Sequence, residues 1–189
     1  MKVLTTKVLL ILFCIVASAK AQTWRIGDDQ PFPIHISDLS AADRGSILRA
    51  LEPALRRYAK ELDLEPNEIA QAKKDLLLRR INTPMGALLL VQGWGSSMCG
   101  ATGNCAIWAI GNNDRVVLEA GGYKISVLRS ISHGFPSILT SASPQTDGSE
   151  LVWYSFDGSQ YRAVSCATET YGNLTMDTRR RITHHPCDR

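Results

Sequence analysis

From residue 81 to residue 166 the chain is broken by turn signals so closely spaced that no connection has room for a crossover helix. The segments between the turns are 87–92 (ALLLVQ), 105–110 (CAIWAI), 115–119 (RVVLE), 123–129 (YKISVLR), 137–141 (SILTS), 150–156 (ELVWYSF) and 160–166 (QYRAVSC). They are short and rich in β-branched, aromatic and aliphatic residues, which reads as strand. The punctuation between them is Gly111-Asn112-Asn113-Asp114, Gly121-Gly122, the stretch 144–149 and Asp157-Gly158. Parallel neighbours need a connection of about a dozen residues or more, so these strands are expected to pair mostly antiparallel. Asp157-Gly158 is the sharpest signal, because a type I′ hairpin turn needs positive φ at both central residues and Asp-Gly supplies it. The turn Thr83-Pro84-Met85-Gly86 pairs 87–92 with residues 77–81.

Before Arg80 the period changes. Ser40-Ala41-Ala42-Asp43 places a capping serine three residues before an acid, a capping-box-like start. Leu48, Leu51, Leu55, Tyr58 and Leu62 then recur at steps of three and four, one apolar stripe of a helix. Pro53 lies inside that stripe and predicts a break or kink, with proline opening a second helical piece. Pro66 fits the first turn of a further helix, whose inner face would be Ile69, Ala72 and Leu76. Lys73, Lys74, Arg79 and Arg80 gather towards its end and read as a solvated, dipole-complementing face. The expected fold class is therefore α+β: two or three helices, then an antiparallel meander of about six or seven strands, stapled by disulfides. The expected division is an extended arm over 22–37, which Trp24, Phe32 and Ile34 could dock, and one domain over 38–189. That domain would have a helical part over 38–80, a β part over 81–168 and a tail over 169–189.

The first 21 residues have the order of a cleavable secretory signal peptide: Lys2 and Lys7, an apolar run over residues 8–16, then Ala19-Lys20-Ala21. The run is far shorter than the roughly 20 residues of a spanning helix, so no retained transmembrane segment is expected. Cys14 sits inside the run behind bulky Phe13, where a lipidation site wants a small residue. Removing Lys2, Lys7 and Lys20 from the 21 basic residues leaves 18 against 18 acids. The basic balance belongs to the leader, and nucleic acid is set aside as a partner. Export to a periplasmic or secreted destination is an oxidising route, and the four cysteines beyond the leader, Cys99, Cys105, Cys166 and Cys187, read as two disulfides. Three connectivities are open. Cys99 with Cys105 and Cys166 with Cys187 are favoured, since each pair is close in sequence and flanked by turn formers, with closures contributing about 2 and about 3 kcal/mol.

Residues 92–108, QGWGSSMCGATGNCAIW, carry four glycines around the Cys99–Cys105 loop. They read either as a stapled loop beside two packed tryptophans or as a binding tip anchored by Trp94 and Trp108. Trp153 and Tyr161, on the Asp157-Gly158 hairpin, are the other candidate binding aromatics, together with Tyr154 and Phe156. The glycines lack the GxxxxGK(S/T) pattern, so a phosphate loop is set aside. A cysteine nucleophile would need a free thiolate, and no G-x-S-x-G elbow occurs. His133, between Ser132 and Gly134, is the remaining candidate acid or base. His184 and His185 beside Cys187 are the candidate metal ligands, but a disulfide removes the thiolate and only His35 and His133 could add imidazoles, so neither metal nor cofactor is expected. Asn173-Leu174-Thr175 fits a glycosylation sequon.

CGATGNC from Cys99, the aromatic at Trp108 and the hairpin YSFDGSQYRAVSC together resemble a set of small exported bacterial proteins over about residues 39–166. In these a helical N-terminal half precedes a GATGNC-like loop and an FDG-x-x-Y-like hairpin. The resemblance implies export, the disulfide loop and the helix-then-sheet order, and brings no reaction with it. The expected function is a non-enzymatic envelope or secreted module that binds a protein or an envelope polymer. The alternatives are a hydrolase of such polymers using His133, and a structural role in which the helices form a dimer or dock another subunit. Oligomeric state is not legible at this level.

Overall fold

The computed structural model describes residues 34–143, 148–171 and 180–187. The leader, Trp24, Phe32 and Asn173 lie outside the described residues. The described residues are predominantly antiparallel sheet, 52% strand against 24% helix, and this corrects the α+β expectation. The described residues hold ten strands, which form two five-stranded sheets in place of one meander. In chain order the elements are β1 (Ile34–His35), α1 (Ala41–Glu61), α2 (Pro66–Ala72), β2 (Leu76–Thr83), β3 (Gly86–Gly93), β4 (Cys105–Ile110) and β5 (Val116–Gly122). Then come β6 (Lys124–Ser132), β7 (Phe135–Ala142), β8 (Ser149–Phe156), β9 (Tyr161–Tyr171) and β10 (Arg180–His185). Sheet A runs β1-β2-β3-β4-β5 and sheet B runs β10-β9-β8-β7-β6, each joining neighbours in chain order.

The passage from one sheet to the other takes a single residue, Tyr123, between Gly122 at the end of β5 and Lys124 at the start of β6. A side chain at Gly122 would put its Cβ 2.5 Å from the Ser141 carbonyl oxygen, so only glycine permits this approach. Tyr123 N–H then donates to that same oxygen at 2.9 Å, tying the corner to β7. The tail, expected to lie outside the sheet, instead supplies β10, which pairs residue for residue with β9 from Arg180↔Tyr171 to His185↔Cys166. In the arm, Ile34 is exposed, while Ile36 is fully buried and does the docking.

Ser40 caps α1 as expected, its Oγ accepting from Asp43 N–H at 3.1 Å. Pro53, by contrast, does not divide the helix; α1 runs unbroken from Ala41 to Glu61. Proline there removes the bond that residue 53 would donate to the Arg49 carbonyl. Burial of Leu51 before it and of Ala54, Leu55 and Ala59 after it, on one face against sheet A, holds the helix together across the missing bond. Pro66 opens α2, where Glu68 also accepts from Glu65 N–H at 2.8 Å. That helix ends at Ala72, and Leu76, Arg79 and Arg80, expected in it, belong to β2. Leu76 pairs across to Gly93 and is fully buried: three leucines in succession are better housed in a strand covered on both faces than on one face of a helix.

Two cores result. Between α1 and sheet A lie Leu51, Leu55, Leu78, Val91, Trp108 and Ile110. Between the sheets lie Ile81, Leu88, Leu90, Leu118, Ile138, Phe156 and Tyr161. Alternation along β3 sends Val91 to the helix side and Leu88 and Leu90 to sheet B. All six residues of β4 are buried. Pro53 itself is exposed, so Pro53→Ala restores a backbone bond and disturbs no packing. It is expected to raise stability by roughly 1–3 kcal/mol in urea denaturation; a lowered midpoint would show that the ring contributes more than the missing bond costs.

Candidate functional site

The loop between β3 and β4 is built around its cystine. Cys99 and Cys105 form both a disulfide and an isolated antiparallel bridge. Inside it Gly100 N–H donates to the Asn104 carbonyl and Gly103 N–H to the Gly100 carbonyl, both at 2.8 Å. Met98 is fully buried beneath the loop, and Gly93 must be glycine because a Cβ there would fall 2.5 Å from Met98 Cβ. Asn104 fastens the loop to the other sheet: its Oδ1 accepts from Ser143 N–H and its Nδ2 donates to Ser143 O, each at 2.7 Å. Nδ2 also reaches Thr102 Oγ1 at 3.0 Å. The second cystine, Cys166–Cys187, fastens the end of the chain beyond β10 to β9. Two disulfides suit an oxidising compartment, and no described helix is long and apolar enough to cross a membrane.

Against this loop lies a cleft of about 510 Å³. Gly100, Asn104 and Cys105 form one wall, the last turn of α1 with Arg57, Tyr58, Glu61 and Leu62 forms the opposite one, and Ala106, Trp108, Glu119, Ala120 and Gly121 form the floor. Trp108, only 3% exposed, packs edge-to-face with Tyr58, ring centres 5.9 Å apart and planes at 79°. Burial pushes the Tyr58 hydroxyl above its ordinary pKa, so it is a neutral phenol at physiological pH. Across the cleft Arg57 Nη2 donates to Glu119 Oε1, joining α1 to β5. An aromatic base, a few polar groups and a rigid wall are the usual constitution of a ligand site.

The remaining sequence candidates are scattered. Trp94 is 57% exposed and lies outside the cleft, its N–H bonded to the Asp75 carbonyl at 2.8 Å. Tyr161 is in the inter-sheet core at 6% exposure, donating to the Pro136 carbonyl at 2.8 Å, with burial pushing its pKa up. Phe156 packs beside it. Trp153 is half-buried on the outer face of sheet B, in a shallow groove with Leu128, Val164 and His184, the His184 ring 5.8 Å from the indole. His133 has φ 48° in the turn between β6 and β7. Its Nδ1 lies 3.0 Å from the Phe156 carbonyl and 3.1 Å from Ser132 Oγ. A carbonyl only accepts, so Nδ1 carries the proton and cannot take one from Ser132. Nearby Asp157 is committed to the Ser159 and Gln160 amides and to Arg162, which hold its carboxyl well below the usual range.

His184 and His185, consecutive on a strand, face opposite sides of sheet B. His184 Nδ1 is 3.5 Å from Ser165 Oγ. His185 Nε2 is 3.2 Å from Glu150 Oε1 and 3.3 Å from Thr168 Oγ1, while its Nδ1 is 2.8 Å from the Pro186 carbonyl. Among the described residues no three His, Cys, Asp or Glu side chains stand together as a metal site requires. Of the cleft, the sequence signals reached Gly100 and Cys105 in the stapled loop, Trp108, the helical stripe at Tyr58 and Leu62, and Gly121 as a turn residue; Arg57, Glu61 and Glu119 carried none, because they meet only through the packing of α1 on β5.

Comparison with protein-family models, with curated proteins and with solved structures returns no match to this chain, so its function is read from geometry. The Asn104 clasp is the cleft's most exposed point of failure. Asn104→Asp keeps the shape but sets a carboxylate oxygen against the Ser143 carbonyl. It is expected to cost about 1–3 kcal/mol in urea denaturation, with no new alkylatable thiol in the mass spectrum; an unchanged midpoint would show that the disulfide alone holds the loop.

Proposed function

We propose that this is an exported protein, delivered by a signal peptide over residues 1–21 to a periplasmic or secreted destination, and that it binds a partner in the cleft beside the stapled loop. Kinship with the exported bacterial proteins that its loop and hairpin resemble is part of the proposal. The observation that carries it concerns two glycines. Elsewhere in the fold glycine answers to a positive φ, as at Gly95 and Gly103, or to crowding, as at Gly93 and Gly111. Among the described glycines only Gly45, Gly100 and Gly121 answer to neither, and two of these three line the cleft. A Cβ at Gly100 would meet nothing nearer than the Asn104 carbonyl at 3.9 Å, and one at Gly121 nothing nearer than the Cys105 carbonyl at 3.9 Å.

Glycine inside a strand weakens it, and Gly121 sits within β5 opposite Ala106. Where the fold does not demand that weakness, close approach by something outside the fold accounts for it. The rest of the cleft suits binding, since its loop is held by a disulfide and by the Asn104 clasp, and a preorganised wall loses little freedom when a partner arrives.

The test is a photo-crosslinking amino acid at Leu62, an exposed residue of the cleft wall, in protein exported by its host. A discrete adduct is expected, and Gly121→Val is expected to abolish it while leaving the thermal midpoint unchanged or raised. An adduct that persists with valine filling the cleft, or the same adduct from a crosslinker at Val164 on the far side of the molecule, would overturn the proposal.

A further inference from the structure

Resting on the cleft as the binding site, we infer that its occupant is a basic side chain, lysine or arginine, presented by a partner protein. Three independent features of the cleft favour a cation. Its charged lining is Arg57 against Glu61 and Glu119, a net negative balance. Arg57 engages Oε1 of Glu119, leaving the second carboxylate oxygen for another donor, and Glu61 has no ion-pair partner among the described residues. Secondly, α1 ends at Glu61, so the cleft lies at the helix C-terminus, where the aligned peptide dipoles carry partial negative charge. Thirdly, the neutral ring of Tyr58 offers a cation–π surface.

The apolar part of the lining matches the rest of such a side chain. Leu62 and Ala106, both on the helix side of the sheet, can cover a methylene stem while the charged head reaches the carboxylates. The fold already holds one example of this arrangement, since Arg57 lays its guanidinium on Glu119 from the other wall. An anionic side chain would meet two carboxylates and the negative helix end. A purely aliphatic one would leave Glu61 facing it unpaired, which is costly as the site closes.

The proposal is tested on the full mature chain, ¹⁵N-labelled, by titrating capped tripeptides Gly-Lys-Gly, Gly-Arg-Gly, Gly-Glu-Gly and Gly-Leu-Gly and following amide shifts. The lysine and arginine peptides are expected to shift amides of residues 57–62, 100–106 and 119–121 and to saturate in the millimolar range, with the glutamate and leucine peptides leaving them in place. Glu61→Gln, which breaks no contact of the fold, is expected to weaken the basic peptides about threefold or more, and Gly121→Val to remove their binding. Equal shifts from the leucine or glutamate peptide, no shift from either basic peptide, or full affinity in Glu61→Gln would overturn it. The two proposals fail separately. Loss of the Leu62 adduct in Gly121→Val beside silent basic peptides would leave the cleft as the binding site and refute only its chemistry, whereas an adduct that survives Gly121→Val would refute the site itself.

Discussion

The burial of β4 on both faces is the constraint on which the other elements depend. CAIWAI has no polar side chain, and each of its residues is buried, so the strand is stable only as the interior of a middle layer. One side of that layer must be covered by something with a continuous apolar stripe, and α1 supplies it across Pro53. The other must be covered by a second sheet, and the chain reaches that sheet by turning at Gly122. A polar residue on the stripe or a side chain at the corner would expose one face of β4. The helix is thus not a domain of its own beside the sheet; it is the lid on one side of it.

Much of this was legible because it is local. Strand β4 spans the residues its pattern predicted, and Ser40 and Pro66 act as their chemistry requires. The Asp157-Gly158 hairpin forms, but not as a two-residue type I′ turn: Phe156 pairs with Tyr161 across a four-residue loop in which Gly158 has positive φ and Asp157 does not, because the Asp157 carboxylate instead accepts from the Ser159 and Gln160 amides. The favoured pairs Cys99–Cys105 and Cys166–Cys187 are the ones that form, since a short closure leaves few competing partners. Three things were not legible, each for a physical reason. Pro53 reads as a breaker only if helix strength is intrinsic; here tertiary burial of Leu51 and Leu55 outweighs one missing bond. Gly121-Gly122 reads as an ordinary hairpin turn, and only the proximity of Ser141 reveals it as a change of sheet. The tail reads as polar because Arg180, Arg181, Thr183, His184 and His185 are, yet an edge strand needs no apolar face when ion pairs and a disulfide hold it. Glu169, buried on β9, takes Arg180 in just this way, and Glu150 takes His185.

The candidate site divides along the same line. The stapled loop announced itself through glycine and cysteine density, whereas the carboxylate and guanidinium opposite it are single charged residues in an amphipathic helix and a strand, where charges are expected for solubility. Arg57 and Glu119 are 62 positions apart and acquire a relation only when α1 settles on β5. Tyr58 was visible as part of the helical stripe, but its contact with Trp108 at the base of the cleft forms only when α1 packs on sheet A.

Glycine is usually argued from what it permits in the backbone, and most glycines here submit to that argument. The more informative ones are those that do not. A residue that is neither in a left-handed conformation nor pressed by a neighbour could carry a methyl or isopropyl group at little cost to the fold, and in a strand would strengthen it. Two such positions, Gly100 and Gly121, line one cleft, and the proposed function takes the volume they leave open as room for a partner. The same cleft is the place where the rigid loop, the helix C-terminus and Glu61, which has no ion-pair partner among the described residues, converge. On the proposed reading, a surface that is rigid on one side and electrostatically incomplete on the other would be completed by a complementary charge from outside.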